Sequence, residues 1–212
     1  MASGNFCAKD NLNMSKPPTR IQKKNRSAIL SAGLDVFSQF GFRGATLDQI
    51  AEAAGLSKPN LLYYFPSKEE IHQQLLSGLL HTWLDPLRTM KADGDPIQEI
   101  LAYARRKLDL SRDYPRESRL FANEVLQGAP RLGESFPDLK SLVDEKAAVI
   151  QGWAKVGKIA EIDPHHLIFL IWAQTQHYAD FDVQVRAVLE CDDPYPQAAT
   201  FMEHMLRRTL AP

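Results

Sequence analysis

The chain has 212 residues, with 25 Lys+Arg against 26 Asp+Glu, 44% hydrophobic residues and two cysteines. That composition excludes wholesale disorder, collagen-like repeats and coiled-coil rods, and the length suits one large domain or two smaller ones. The longest apolar run, Leu167 to Ala173, is seven residues, far short of the ~20 that span a bilayer. With no apolar leader and only Cys7 and Cys191, far apart, the chain reads as cytoplasmic, without a disulfide framework or a cysteine-built metal site.

The net charge of −1 hides an asymmetry. Residues 1–68 hold nine basic and four acidic side chains, a balance of +5, while the remainder holds sixteen basic and twenty-two acidic, a balance of −6. A basic first third on an acidic body places contact with a polyanion at the N-terminal end, although a solvated basic tail gives the same count.

Residues 1–19 are polar, contain Pro17-Pro18 and are expected to form a disordered basic arm. From Arg20 to Phe40, Ile29, Ala32, Val36, Phe37 and Phe40 recur at helical spacing, and Gly41 and Gly44 are expected to end that helix. Thr46 to Gln49 reads as a capping box opening a short helix through Ala54, and Gly55 breaks the chain. Ser57 then caps a third helix with Pro59 in its first turn, and Ser67 to Glu70 opens a long fourth helix to about Met90, kinked at Pro86. Asp95-Pro96, Asp163-Pro164 and Asp193-Pro194 place caps before helices at 96–113, 164–190 and 194–209, with two more near 115–128 and 136–157. No alternating, hairpin-bounded run appears, so the fold is expected to be all-α: a helix-turn-helix unit at 20–66 and a larger helical unit at 67–212.

Thr46 to Phe65, TLDQIAEAAGLSKPNLLYYF, meets the physical needs of a helix-turn-helix. Ile50, Ala51 and Leu56 supply the small core between two short helices, and Gly55 the tight turn. In such a unit the N-terminal residues of the second helix meet base edges while the first helix crosses the backbone. The hydroxyls of Thr46 and Ser57 suit phosphates; Lys58 and Asn60 can reach guanine and adenine; Pro59, Tyr63, Tyr64 and Lys68 complete the candidate surface. A plain helical hairpin with two caps carries the same features.

The stretch FSQFGFRGATLDQIAEAAGLSKPNLLYYFPSKEEI resembles the DNA-binding domain of the TetR family of transcriptional regulators. The resemblance rests on Gly44, Thr46, Ile50, Ala51, Ala54, Gly55, Leu56, Ser57, Leu62, Tyr63, Tyr64, Phe65 and Lys68, with Ile71 where the pattern has Leu. It implies a homodimer, a palindromic double-stranded DNA operator and a small-molecule effector bound in the body, which also forms the dimer. The body, through LDLSRDYPRESRLFANEVLQGAP and HLIFLIWAQTQHYADF, resembles a pyrimidine-utilisation regulator of that family, which implies release by uracil. A drug or an acyl-CoA is the alternative effector.

An effector site in a helical body must be apolar with a few placed polar groups. Helix 164–190 offers Trp172, Gln174, Gln176, His177 and Tyr178, and Trp83, Tyr103, Phe121 and Asn123 are further wall candidates. A carboxamide can satisfy one donor and one acceptor of the uracil edge, and an aromatic face can stack on its ring. At up to ~1 kcal/mol for each of about eight heavy atoms, affinity reaches roughly micromolar. The same aromatic stripe also fits an ordinary core. His165-His166 lacks the i, i+4 spacing of a helical metal pair, and no nucleophile or cofactor motif accompanies Asp180 and Asp182 near His177, so neither a metal, a cofactor nor an enzyme activity is expected.

Overall fold

A computed structural model describes residues 19–212, and these residues form an all-α fold of ten α-helices and one 3-10 turn. All but the last residue of the expected arm lies outside them. That last residue, Thr19, caps α1 (Arg20–Gly44): its hydroxyl accepts from the Gln22 amide and the Gln22 carboxamide accepts from the Thr19 amide. Gly41 breaks α1 as expected, its φ of 64° being open to glycine at little cost, but one further turn follows before Ala45. Next come α2 (Leu47–Ala53), α3 (Lys58–Tyr64) and α4 (Lys68–Arg88), which carries Pro86 within its last turn. The body continues with α5 (Pro96–Asp113), α6 (Pro115–Leu126) and α7 (Phe136–Lys155).

The helix expected over 164–190 is two helices. α8 (Pro164–Asp180) ends where Phe181 leaves helical geometry (φ −114°, ψ 30°), and α9 (Asp182–Leu189) follows. Asp163 caps α8 as expected, accepting from the His165 and His166 amides. The last helix, α10 (Tyr195–Leu210), starts one residue later than its sequence signal, with the Asp193 carboxylate accepting from the Tyr195 amide.

Two apolar cores organise these helices. In the first, Phe37, Ile50, Leu61, Phe65 and Ile71 are fully buried, and it reaches into the body through Trp83 on α4, Leu120 on α6 and Leu132. Burying each such side chain stabilises the fold by about 1.5–3 kcal/mol. The second gathers Ile100, Leu108, Ile150, Ile168 and Leu206 from α5, α7, α8 and α10. The boundary expected at 66/67 falls in the short link between α3 and α4; the first core extends beyond it through α4, and α6 lies against both α1 and α8. Among the described residues no helix is long and apolar enough to cross a membrane.

Candidate functional site

The first candidate surface is built by local capping. At the start of α2 the Thr46 hydroxyl accepts from the Gln49 amide at 3.2 Å, while the Gln49 carboxamide accepts from the Thr46 amide at 2.8 Å. Gly55, at φ 67°, lets the chain reverse so that the Leu56 amide donates to the Ala51 carbonyl. Ile50, Ala51 and Leu61 pack beneath the turn. The Ser57 hydroxyl accepts from the Asn60 amide and so opens α3. Lys58, Pro59, Asn60 and Tyr63 are thereby left exposed along one short helix. Lys58 rests 2.9 Å from Asp48 in a half-exposed ion pair, a contact weak enough to be exchanged for a phosphate.

Helix α1 braces α3. The Asn25 carboxamide donates to the Tyr64 hydroxyl at 3.0 Å, the Arg26 guanidinium donates to the Tyr64 carbonyl, and it also lies 4.2 Å from the centre of the Phe65 ring. The Gln22 carboxamide reaches the Tyr63 hydroxyl at 3.4 Å. Lys68, expected to meet the next phosphate, is half-buried and has partners within the fold. Its ammonium donates to the Phe42 and Ala45 carbonyls at 2.9 and 2.8 Å and lies over the Phe42 ring, so it closes the end of α1 against α4.

The second candidate site is an interior chamber of about 50 Å³, lined by Leu80, Trp83 and Leu84 of α4, Lys107 of α5, Phe121 of α6, Leu139 of α7, and Trp172 and Gln176 of α8. Four of the nine expected wall residues meet here: Trp83, Phe121, Trp172 and Gln176. The other five do not line it. Gln174 is two residues from Gln176, about 200° around the helix. It instead joins His177 and Tyr178 in a groove between α8 and α10, with Ala198, Phe201 and Met202. Tyr103 is buried behind the wall, its hydroxyl accepting from the Trp172 indole N–H at 2.5 Å. Asn123 lies half-buried on α6 and lines none of the described cavities.

The sequence reading missed Lys107. It is almost fully buried, its ammonium lies 5.1 Å from the centre of the Trp83 ring, and among the described residues it has no ion-pair partner. Loss of hydration pushes its pKa down to about 8, with Asp180 pulling the other way. The Trp83 indole N–H is also buried without a hydrogen-bond partner. The signal was available: Tyr103, Lys107 and Ser111 are spaced four apart along the buried face of α5. Among the described residues no group of His, Cys, Asp and Glu side chains could hold a metal ion; the His165 ring pairs with Asp144 at 3.1 Å.

A small all-α helix-turn-helix unit joined to a helical body with an internal chamber is the architecture of a ligand-responsive DNA-binding regulator. Residues 29–75 match the family model "Bacterial regulatory proteins, tetR family", and residues 76–212 match the model "YcdC-like protein, C-terminal region". The chain belongs to the TetR family, whose members are transcriptional regulators and not enzymes. It is 58% identical over 171 residues to the HTH-type transcriptional regulator RutR of Escherichia coli O157:H7, covering 80% of this chain and 81% of the relative. The Escherichia coli K12 protein of that name is 57% identical over the same span. Among solved structures, a TetR-like transcriptional regulator from Rhodococcus sp. RHA1 superposes with a TM-score of 0.66 at 20% identity, over 91% of this chain and 97% of that one. AibR in complex with isovaleryl coenzyme A and operator DNA gives 0.65 at 18%, over 85% and 97%. These two establish the shared fold.

Proposed function

We propose that this regulator is a repressor released from its operator by uracil or a close pyrimidine, and that it controls pyrimidine utilisation. The observation that carries this reading is the chamber itself: a buried cation (Lys107), an unpartnered indole N–H (Trp83) and a carboxamide (Gln176) around a space with aromatic walls. The two uracil carbonyls can accept from Lys107 and Trp83, and a ring N–H can donate to the Gln176 oxygen. A ligand oxygen on Trp83 would recover the roughly 1–3 kcal/mol that an unsatisfied buried donor costs. At about 50 Å³ the chamber is far below the several hundred Å³, roughly 300–1,000, of pockets that take large ligands, which disfavours an acyl-CoA.

Residues 20–66 act as the DNA-binding unit, with Thr46, Ser57, Lys58, Pro59, Asn60, Tyr63 and Tyr64 at the DNA, and residues 67–212 bind effector and dimerise. Phe169, Leu170, Phe181, Val188, Leu189 and Phe201 are large apolar side chains left exposed on α8, α9, α10 and the α8–α9 junction, and exposed apolar groups gathered in one region mark an interaction surface. A second copy covers it, sets two α3 helices against half-sites roughly 34–36 Å apart and so requires a palindromic operator. The protein acts in the cytoplasm, where its DNA lies.

Calorimetric titration of the purified protein with uracil, with thymine and cytosine as controls, tests this reading. Near-micromolar uracil binding with weaker controls is expected; absence of both heat and thermal stabilisation with all three would remove the proposed effector.

A further inference from the structure

We propose that the effector enters the body through the apolar groove between α7 and α8, and that Leu139 and Trp172 form the partition between that groove and the chamber. The inference rests on the reading of the chamber as the effector site.

The chamber is walled by side chains from α4, α5, α6, α7 and α8, so a ligand reaches Lys107 and Gln176 only where two of these helices part. Three of the described grooves share no residue with the chamber. The groove between α7 and α8 shares two, Leu139 and Trp172. It holds about 490 Å³, with Phe136 and Val143 of α7 and Phe169 of α8 as further walls and Lys140, Asp144 and His165 at its polar edge. A flat ring can stack on aromatic faces of this kind before it moves inward.

The two partition residues are held unequally. The Trp172 indole N–H donates to the buried Tyr103 hydroxyl at 2.5 Å, and its ring lies 5.5 Å from that of Phe169, so Trp172 is fixed on α8. Leu139 is half-buried one turn into α7, a helix whose N-cap residue, Ser135, makes no side-chain hydrogen bond. Helix ends without such a cap open at low cost, so Leu139 is the side that moves. Among the described residues, the polar tie across this groove is the His165 ring on the Asp144 carboxylate at 3.1 Å, and Asp144 also pairs with Lys140. Both His165 and Asp144 are half-exposed, and a tie of that kind adds little to stability. Phe169 also belongs to the exposed apolar surface assigned above to the second copy, whereas Phe136, Lys140 and Asp144 stand on α7, outside it.

An entry route sets rates and not affinity, because affinity depends on the free and bound states alone. Narrowing the route slows arrival and departure of uracil by one common factor. Both rates are read by stopped flow from the protein's tryptophan fluorescence, since Trp83 and Trp172 stand in the chamber wall. Lys140→Cys, at the groove edge, is measured before and after coupling to a bulky maleimide, beside wild-type protein given the same reagent to account for Cys7 and Cys191. Coupling at position 140 is expected to lower both rate constants by roughly tenfold, with Kd unchanged within about twofold. Thr82→Cys, in a groove between α4 and α5 that shares nothing with the chamber, should keep its rates when coupled. His165→Ala removes the tie and should raise both rates by about threefold, which keeps the test decisive should the coupled variant fold poorly. Folded variants with unchanged rates, or with only one of the two rates changed, overturn the entry route and leave the effector reading standing. No uracil binding by the wild-type protein overturns both.

Discussion

The Lys107 ammonium lies over the Trp83 ring at 5.1 Å, and neither Lys107 nor the Trp83 N–H has a strong polar partner within the described residues. Two polar groups buried this way cost stability, which is the signature of a site prepared for a ligand rather than of a core optimised for itself. Lys107→Met should separate the two roles. Removing a buried charge in favour of an apolar chain of similar length is expected to raise stability by about 1–2 kcal/mol. Losing a charged donor to a carbonyl oxygen should weaken uracil binding by roughly tenfold to a hundredfold. Thermal melts and calorimetry on the same sample check both; a variant that is less stable and binds uracil normally would place Lys107 in the core alone.

His72 ties acid stability to the junction between α1 and α4. Its ring is buried edge-on between Phe37 and Phe42, at centroid distances of 4.8 and 4.9 Å, and its Nδ1 has no partner. Burial, with the nearby Arg131 and Lys68 cations, lowers its pKa to about 4. The unfolded chain, with an ordinary histidine, binds the proton more tightly. The stabilisation is therefore complete above about pH 6.5 and is lost as pH falls towards 4, by up to about 3 kcal/mol. His72→Leu should lose that part of the slope. Melting temperatures across pH 4–7 test it, and parallel curves for both proteins would show that another group dominates.

Gly33 sets the approach of α1 to α4. A Cβ built there would meet the Ile71 Cγ2 at 2.7 Å, against a side chain that is itself fully buried. Gly→Ala within a helix gains about 1 kcal/mol of propensity, but overpacking costs about 1–3 kcal/mol. Ile71 offers a branch carbon rather than a flexible tip, so the clash wins. Gly33→Ala is expected to destabilise by about 1 kcal/mol and Gly33→Leu by more, read from urea midpoints at constant m; a stabilised Gly33→Ala would mean that the helices part easily here.

The N-terminal helices were legible because their signals are local. Thr46 with Gln49, Ser57 with Pro59, and Gly55 each act within one turn, and each acts as its residue type demands. The interior was legible only in part. Gln174 and Gln176 look alike in composition, and the 100° step of the helix sends them to opposite sides of α8. The end of α8 at Asp180 has no Gly or Pro to announce it; the residues there are committed to α6 through Ser118 and Arg119, contacts 60 or more positions away in sequence. Lys68 illustrates the same limit, since its carbonyl partners lie 23 and 26 residues earlier, and only the folded chain brings them to its ammonium.

Lys58 and Lys68, both drawn from one basic segment, should therefore fail in different ways when altered. Lys58 is exposed on α3 and holds only a surface contact to Asp48. Replacing it with Ala should leave stability nearly unchanged, weaken binding to a selected duplex and reduce the slope of log affinity against log salt by about one, the signature of one lost phosphate or base contact. Lys68 satisfies two carbonyls at the end of α1 and stacks on Phe42. Lys68→Met leaves both carbonyls without that donor, so a loss of about 1–3 kcal/mol is expected, with the salt slope intact for the folded fraction. Binding isotherms at several salt concentrations, paired with denaturant melts, distinguish the two. A reduced slope for Lys68→Met with unchanged stability would return Lys68 to the DNA surface.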